Sequence, residues 1–144
     1  MFKSLFLGYI LLAASIGANA QSKFLNSADD AKKFAEGIVA SIASGNMPGA
    51  TKELRQVITT PAAEFDLFEA QLATQAGSFL YQIGSPTGYE FLREHKLGSH
   101  LIRQQFLVLH EKAPMRVNLV FYKTSKGWVV THFYFDTNAL GFFQ

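Results

Sequence analysis

Met115-Arg116-Val117-Asn118-Leu119-Val120-Phe121-Tyr122-Lys123 is followed by the break Thr124-Ser125-Lys126-Gly127 and then by Trp128-Val129-Val130-Thr131-His132-Phe133-Tyr134-Phe135-Asp136. In the first run Val117, Leu119 and Phe121 alternate with Arg116, Asn118 and Tyr122, the two-residue period of a strand with one buried face. The second run is rich in β-branched and aromatic residues, yet its parity changes partway. Trp128 and Val130 share one parity, Phe133 and Phe135 the other. A β-bulge near Thr131-His132 returns all four side chains to one face; the alternative is a strand buried on both faces. The four-residue link closes only a hairpin, so the two strands run antiparallel.

The pattern continues upstream. Residues 99–111 place Ile102, Phe106 and Val108 on one parity and Arg103 and Gln105 on the other, and residues 89–96 form a further strand. The links Leu97-Gly98 and Lys112-Ala113-Pro114 are again hairpin-sized. Four strands, 89–96, 99–111, 115–123 and 128–136, therefore form an antiparallel meander.

Before Gly84-Ser85-Pro86-Thr87-Gly88 the apolar period is helical. Ala31, Phe34, Ala35, Ile38, Val39 and Ile42 form one stripe along a helix over 28–44. Asn26 or Ser27 caps it, Asp29 and Asp30 favour its dipole, and Gly45-Asn46 ends it. A short helix over 50–58 presents Leu54, Val57 and Ile58. Thr59-Thr60-Pro61 opens a third over 61–83, with Phe65, Phe68, Leu72, Ala76, Phe79, Leu80 and Ile83 as its expected buried face. Gly77 lies inside it and costs about 1 kcal/mol against Ala, so a close neighbour or a bend is expected there. Helices followed by an antiparallel meander specify an α+β fold: N-terminal helices packed on a curved four-stranded antiparallel sheet.

The chain has 144 residues, and its first twenty read as a cleavable export signal: Lys3, an apolar run from Leu5 to Ile16, and Ala18-Asn19-Ala20 as the cleavage site. The run is short of the 20 or so apolar residues that a membrane anchor needs. The expected organisation is a signal peptide over 1–20 and a single α+β domain over 21–144, periplasmic or secreted, with no stable membrane anchor after cleavage. A retained tether is the alternative. The chain has no cysteine, so no disulfide framework exists. Without Lys3 it carries 12 basic and 11 acidic side chains, interspersed, which argues against nucleic acid as a partner.

The first helix ending in Gly45-Asn46, the long third helix and the closing G-W-x-V-x-x-F-x-F-D pattern, here Gly127 to Asp136, resemble the nuclear-transport-factor-two-like (cystatin-like cone) superfamily. Gly88-Tyr89-Glu90-Phe91 through Phe121-Tyr122-Lys123 is similar to small exported bacterial members of unassigned activity. The resemblance covers about Asp29 to Asp136. It implies a cone-shaped barrel with an open-ended pocket and a homodimer through the sheet. Its members include enzymes, carriers and interaction modules, so function has to be argued from the site.

Enzymes of that superfamily set an Asp or His beside a Tyr or second His inside the cone. The corresponding candidates are Asp136, which matches the terminal Asp of the pattern, His132 at the proposed bulge, Tyr122 and His110. Spacing alone does not bring any two together. Arg93, Arg103 and Arg116, on three adjacent strands, are candidates to bind an anionic ligand; the alternative is a solvated face paired with Glu90, Glu94 and Glu111. Phe65, Phe68 and Phe79 are candidates to line a pocket for a small apolar ligand, or to fill a core. His95 and His100 flank the first hairpin but do not amount to a metal site, and no cofactor motif occurs. The apolar tail Leu140-Gly141-Phe142-Phe143 is expected to tuck over the helices or meet a partner. The function expected is that of an exported, non-enzymatic domain binding a small ligand or partner; the alternative is a small lyase, isomerase or hydrolase working inside the cone.

Overall fold

The computed structural model describes residues 21–144. The expected signal peptide and its cleavage site at Ala20 lie outside the described residues. The chain runs α1 (Ala28–Ala43), α2 (Met47–Arg55), α3 (Ala62–Ile83), β1 (Pro86–Leu97), β2 (Leu101–His110), β3 (Met115–Thr124), β4 (Gly127–Asp136) and a C-terminal 3₁₀ turn (Ala139–Phe143). The strands form one antiparallel sheet in the order β1-β2-β3-β4. This is the expected α+β architecture, with three helices against one face of a four-stranded meander.

The register settles which side chains face inward. Ile102, Phe106 and Val108 of β2 and Val117, Leu119 and Phe121 of β3 are buried under the helices. In β4, Val120 pairs with His132 and Phe121 with Val130, which leaves Thr131 as the extra residue of a bulge. Trp128, Val130, Phe133 and Phe135 thus reach the same face, as their parity switch requires. Two further irregularities in β1, at Thr87 between Pro86 and Gly88 and at Leu92 between Phe91 and Arg93, leave no such signature in the sequence. Bulges bend the strands that carry them and increase their twist, which curves the sheet toward the helices.

α1 forms where its stripe and cap predict. Ser27 Oγ accepts from Asp30 N at 3.0 Å, and Ala31, Ala35, Ile38, Val39 and Ile42 are buried. α2 begins earlier than expected, at Met47, and ends at Arg55 rather than 58. Asn46 does not simply terminate α1; its side chain accepts from Gly49 N at 3.0 Å and caps α2, with Pro48 in the first turn. Residues 57–59 leave the helix because their backbone is used elsewhere. Val130 N donates to Val57 O at 3.1 Å and Thr59 N to Val130 O at 2.9 Å. Leu25 exchanges both backbone bonds with Trp128. These two segments cover the first half of the β4 edge, which would otherwise offer unpaired backbone groups to another chain. Leu25 lies so close that a Cβ at Gly127 would come within 2.7 Å of its carbonyl, and Gly127 itself has φ +138°. Only glycine satisfies both conditions.

α3 crosses the β4 side of the inner face. Its C-terminus is stitched to the β2–β3 link: Lys112 N donates to Ile83 O at 2.9 Å and Glu111 N to Ser85 O at 3.1 Å. Its middle is held by a run of rings. Phe65 meets Phe68 (5.6 Å between centroids), Phe68 meets Phe133 (5.9 Å), Phe133 meets Phe135 (6.1 Å) and Phe135 meets Phe79 (5.8 Å). Such pairs contribute about 0.5–1.5 kcal/mol each beyond their buried area. Within α3 only Phe65 and Ile83 are fully buried. Ala76 and Leu80, expected on its buried face, are exposed, Leu80 by 51%. Among the described residues no helix is long and apolar enough to cross a membrane.

Candidate functional site

The seam of rings holds α3 slightly off the sheet, and the gap behind it is a pocket. It has a volume of about 230 Å³ and lies between the α1–α2 corner, the C-terminal half of α3 and the open end of the sheet. Ile42, Met47, Leu72, Phe79, Met115 and Phe135 provide apolar walls, and His110 is the one titratable side chain in the lining. A dry apolar cavity of about 150 Å³ already accommodates benzene, so this pocket has room for a single ring with a short chain.

His110 comes to the pocket because it ends β2 on the parity of Ile102, Phe106 and Val108. Its partner across the sheet is Pro86 of β1, and the β2–β3 pairing runs only as far as Val108–Met115. Burial pushes the imidazole pKa below its ordinary value, against a smaller opposing effect of its hydrogen bond to Val108 O. That bond, Nδ1 to carbonyl oxygen at 3.3 Å, requires the proton on Nδ1, because the carbonyl can only accept. The neutral ring therefore keeps Nε2 as an unprotonated acceptor.

The other three acid–base candidates are not in this pocket. Asp136, His132 and Tyr122 occupy the opposite parity and stand on the outer face of the sheet. Asp136 Oδ2 accepts from Arg116 Nε and Nη2 at 3.1 and 3.0 Å, and its Oδ1 accepts from Asn138 N at 3.1 Å. It closes a turn and an ion pair. His132 is exposed and touches only its neighbour Thr131 through Nδ1. Tyr122 is 43% exposed, opposite Val129. None of the four candidates is hydrogen-bonded to another.

Arg93, Arg103 and Arg116 do share a face, the outer one, but not a common ligand site. Arg93 Nη2 donates to Phe142 O at 2.8 Å, and Arg116 Nη1 donates to Gly141 O at 2.9 Å while its guanidinium lies 5.0 Å from the Phe142 ring. These two hold the C-terminal 3₁₀ turn on the outer face of the sheet, whereas the tail was expected over the helices or against a partner. Arg103 is hydrogen-bonded to His95. Beneath this face lies a polar pair that the strand pattern hides: Gln105 Nε2 donates to Asn118 Oδ1 at 2.7 Å, with both residues buried. Of the aromatic candidates, Phe79 lines the pocket, whereas Phe65 and Phe68 border a separate recess beside Thr131 and His132.

Sequence reasoning also missed Arg55. It donates to Asp66 at 2.5 Å and Glu69 at 2.8 Å and lies 4.7 Å from the Phe65 ring. The two carboxylates raise its pKa further above an already high value. Arg55 ties α2 to the first half of α3. Nothing local in the sequence marks it, because the crossing of α2 and α3 is a tertiary fact. Strand parity, by contrast, already separates His110 from Asp136 and His132.

These features define an α+β helix-on-sheet domain with an open, apolar pocket at one end. Among solved structures the chain is similar to one from Campylobacter jejuni described provisionally as an NTF2-like transpeptidase. The identity is 15%, the alignment covers 72% of this chain and 95% of that one, and the TM-score is 0.41. That likeness is one of fold, and the activity named belongs to that protein. Neither a protein-family model nor a curated protein matches the chain.

Proposed function

We propose that this chain is an exported, non-enzymatic carrier or sensor of a small apolar molecule bearing one hydrogen-bond donor, such as a phenol or an alcohol. The observation that supports this reading is the pocket itself: apolar walls with one imidazole whose Nε2 can accept. An apolar enclosure with few polar groups, here His110 and the amide of Gln75, orients a ligand without activating it. General acid–base chemistry needs a second group within hydrogen-bond reach, and the lining offers His110 alone. A lyase, isomerase or hydrolase working here would need the substrate or solvent to supply the missing partner. Export rests on the N-terminal pattern, and the exported protein should begin at Gln21.

The test uses 4-ethylphenol and ethylbenzene as a matched pair, titrated calorimetrically into the domain at pH 8. A net hydrogen bond contributes about 0.5–1.5 kcal/mol, so the phenol should bind about threefold to tenfold tighter. His110→Leu should erase that preference while ethylbenzene still binds. Equal affinity of the two compounds for the unmodified domain would refute the assignment of the polar group.

A further inference from the structure

Among the described residues no helix or strand packs on the outward face of α3. Directly opposite its buried side, Ala63, Leu67, Ala70, Thr74, Gly77 and Tyr81 recur at alternating spacings of four and three, a heptad seam. Leu67 is 61% exposed and Tyr81 is 81% exposed. From Ala70 to Ile83 the helix carries no charged residue. An apolar stripe on a helix is normally covered. Gly77 adds an independent sign. A Cβ there would meet nothing within 4 Å, so packing among the described residues does not explain a glycine that weakens the helix.

We propose that two copies of this chain associate through these faces, with the α3 helices antiparallel about a two-fold axis. The seam is complementary to itself in that direction only. With the axis near residue 72, Leu67 lies over Gly77 of the second copy, Ala70 over Thr74, and Tyr81 over Ala63. Each bulky side chain meets a small one, as an isologous interface requires. The charges agree. Carboxylates cluster at the N-terminal end of α3, on Glu64, Asp66 and Glu69. At the other end Lys112 Nζ donates to Tyr81 O at 2.9 Å and lies 5.2 Å from its ring. An antiparallel pair brings Lys112 to Glu64 of the second copy; a parallel pair would set the two lysines together. A membrane surface is a poorer fit, because interfacial helices carry Lys and Arg on their flanks and α3 has none. The outer face of the sheet, where the superfamily resemblance places a dimer, already carries the C-terminal turn.

A 22-residue helix is about 33 Å long, so the buried area falls at the small end of specific interfaces, and a micromolar dimer is expected. Sedimentation velocity over a dilution series of residues 21–144 should show a monomer–dimer equilibrium. Leu67→Glu and Gly77→Leu should each raise the dissociation constant at least about a hundredfold, since symmetry applies each change twice and tenfold corresponds to about 1.4 kcal/mol per copy. Circular dichroism of both variants should show an intact fold, with Gly77→Leu at least as heat-stable as the parent. Lys112→Glu should weaken the dimer, and adding Glu64→Lys should restore it. A monomer at every accessible concentration would overturn the proposal, as would a dimer indifferent to Leu67→Glu and Gly77→Leu. A Lys112→Glu loss that Glu64→Lys leaves unrepaired would overturn the antiparallel arrangement.

Discussion

Replacing Gly77 by alanine should stabilise the monomer. Gly77 lies in the interior of α3 with φ outside the left-handed region, so alanine fits the backbone without strain. A Cβ there meets no atom within 4 Å, which removes any packing penalty. What remains is the difference in helix propensity and in unfolded-chain entropy, about 0.5–1 kcal/mol in favour of alanine. For a domain of this size, 1 kcal/mol raises the melting temperature by about 4 °C, so an increase of about 2–4 °C is expected. Calorimetric melting at concentrations well below the dimer range isolates the monomer. Chemical denaturation should show the same gain with an unchanged m-value. A lower melting temperature would refute the reasoning, because it would mean that some group of the same chain occupies the space above Gly77.

Three further outcomes follow from the packing. Arg55→Ala should cost about 1–2 kcal/mol, combining two partly exposed ion pairs with one contact to the Phe65 ring, and Arg55→Met should recover the stem packing but not the salt-sensitive part; urea denaturation at low and high salt separates the two. His110 has a lower pKa folded than unfolded, so its contribution to stability is complete above the ordinary imidazole value and is lost as pH falls through that value toward the folded-state one; a pH series of urea melts should show that slope, and His110→Gln should flatten it. Deleting Thr131 removes the bulge and sends either the buried Trp128 and Val130 or the half-buried Phe133 and Phe135 to the outer face; losing a fully buried aromatic costs about 3–5 kcal/mol, and two core side chains go at once, so an unfolded chain is expected by circular dichroism.

The meander was legible because its signals are local: alternation within β2 and β3, short links, and a parity switch between Val130 and Phe133 that a single bulge explains. α1 was legible from one clean stripe and its cap. The start of α2 was not, because Asn46 serves two helices and its role depends on where the next turn goes. The end of α2 was not either, because Val57 O and Thr59 N find their partners on Val130 of β4, far away in sequence. The inward side of α3 was legible from its period, but not the gap behind it: Ala76 and Leu80 lie on that side and line the pocket, and so stay exposed. The site was legible in part. Phe79 and His110, both candidates of the sequence, line the pocket, while Asp136, His132 and Tyr122 stand on the other side of the sheet because residue type alone does not fix which face a strand position takes. Arg55 and the Gln105–Asn118 pair had no sequence signature, since each exists only once separate elements have met.

An apolar chamber lies behind the ring seam, with His110 as its one titratable contact. Isotope-filtered nuclear Overhauser spectroscopy of the labelled domain with unlabelled 4-ethylphenol tests that most directly. Contacts from the ligand to the Met47 and Met115 methyls and the Phe79 ring, with a shift of His110 Nε2, are the result the account predicts. Contacts confined to the outer face, around Arg103 and Tyr134, would contradict it.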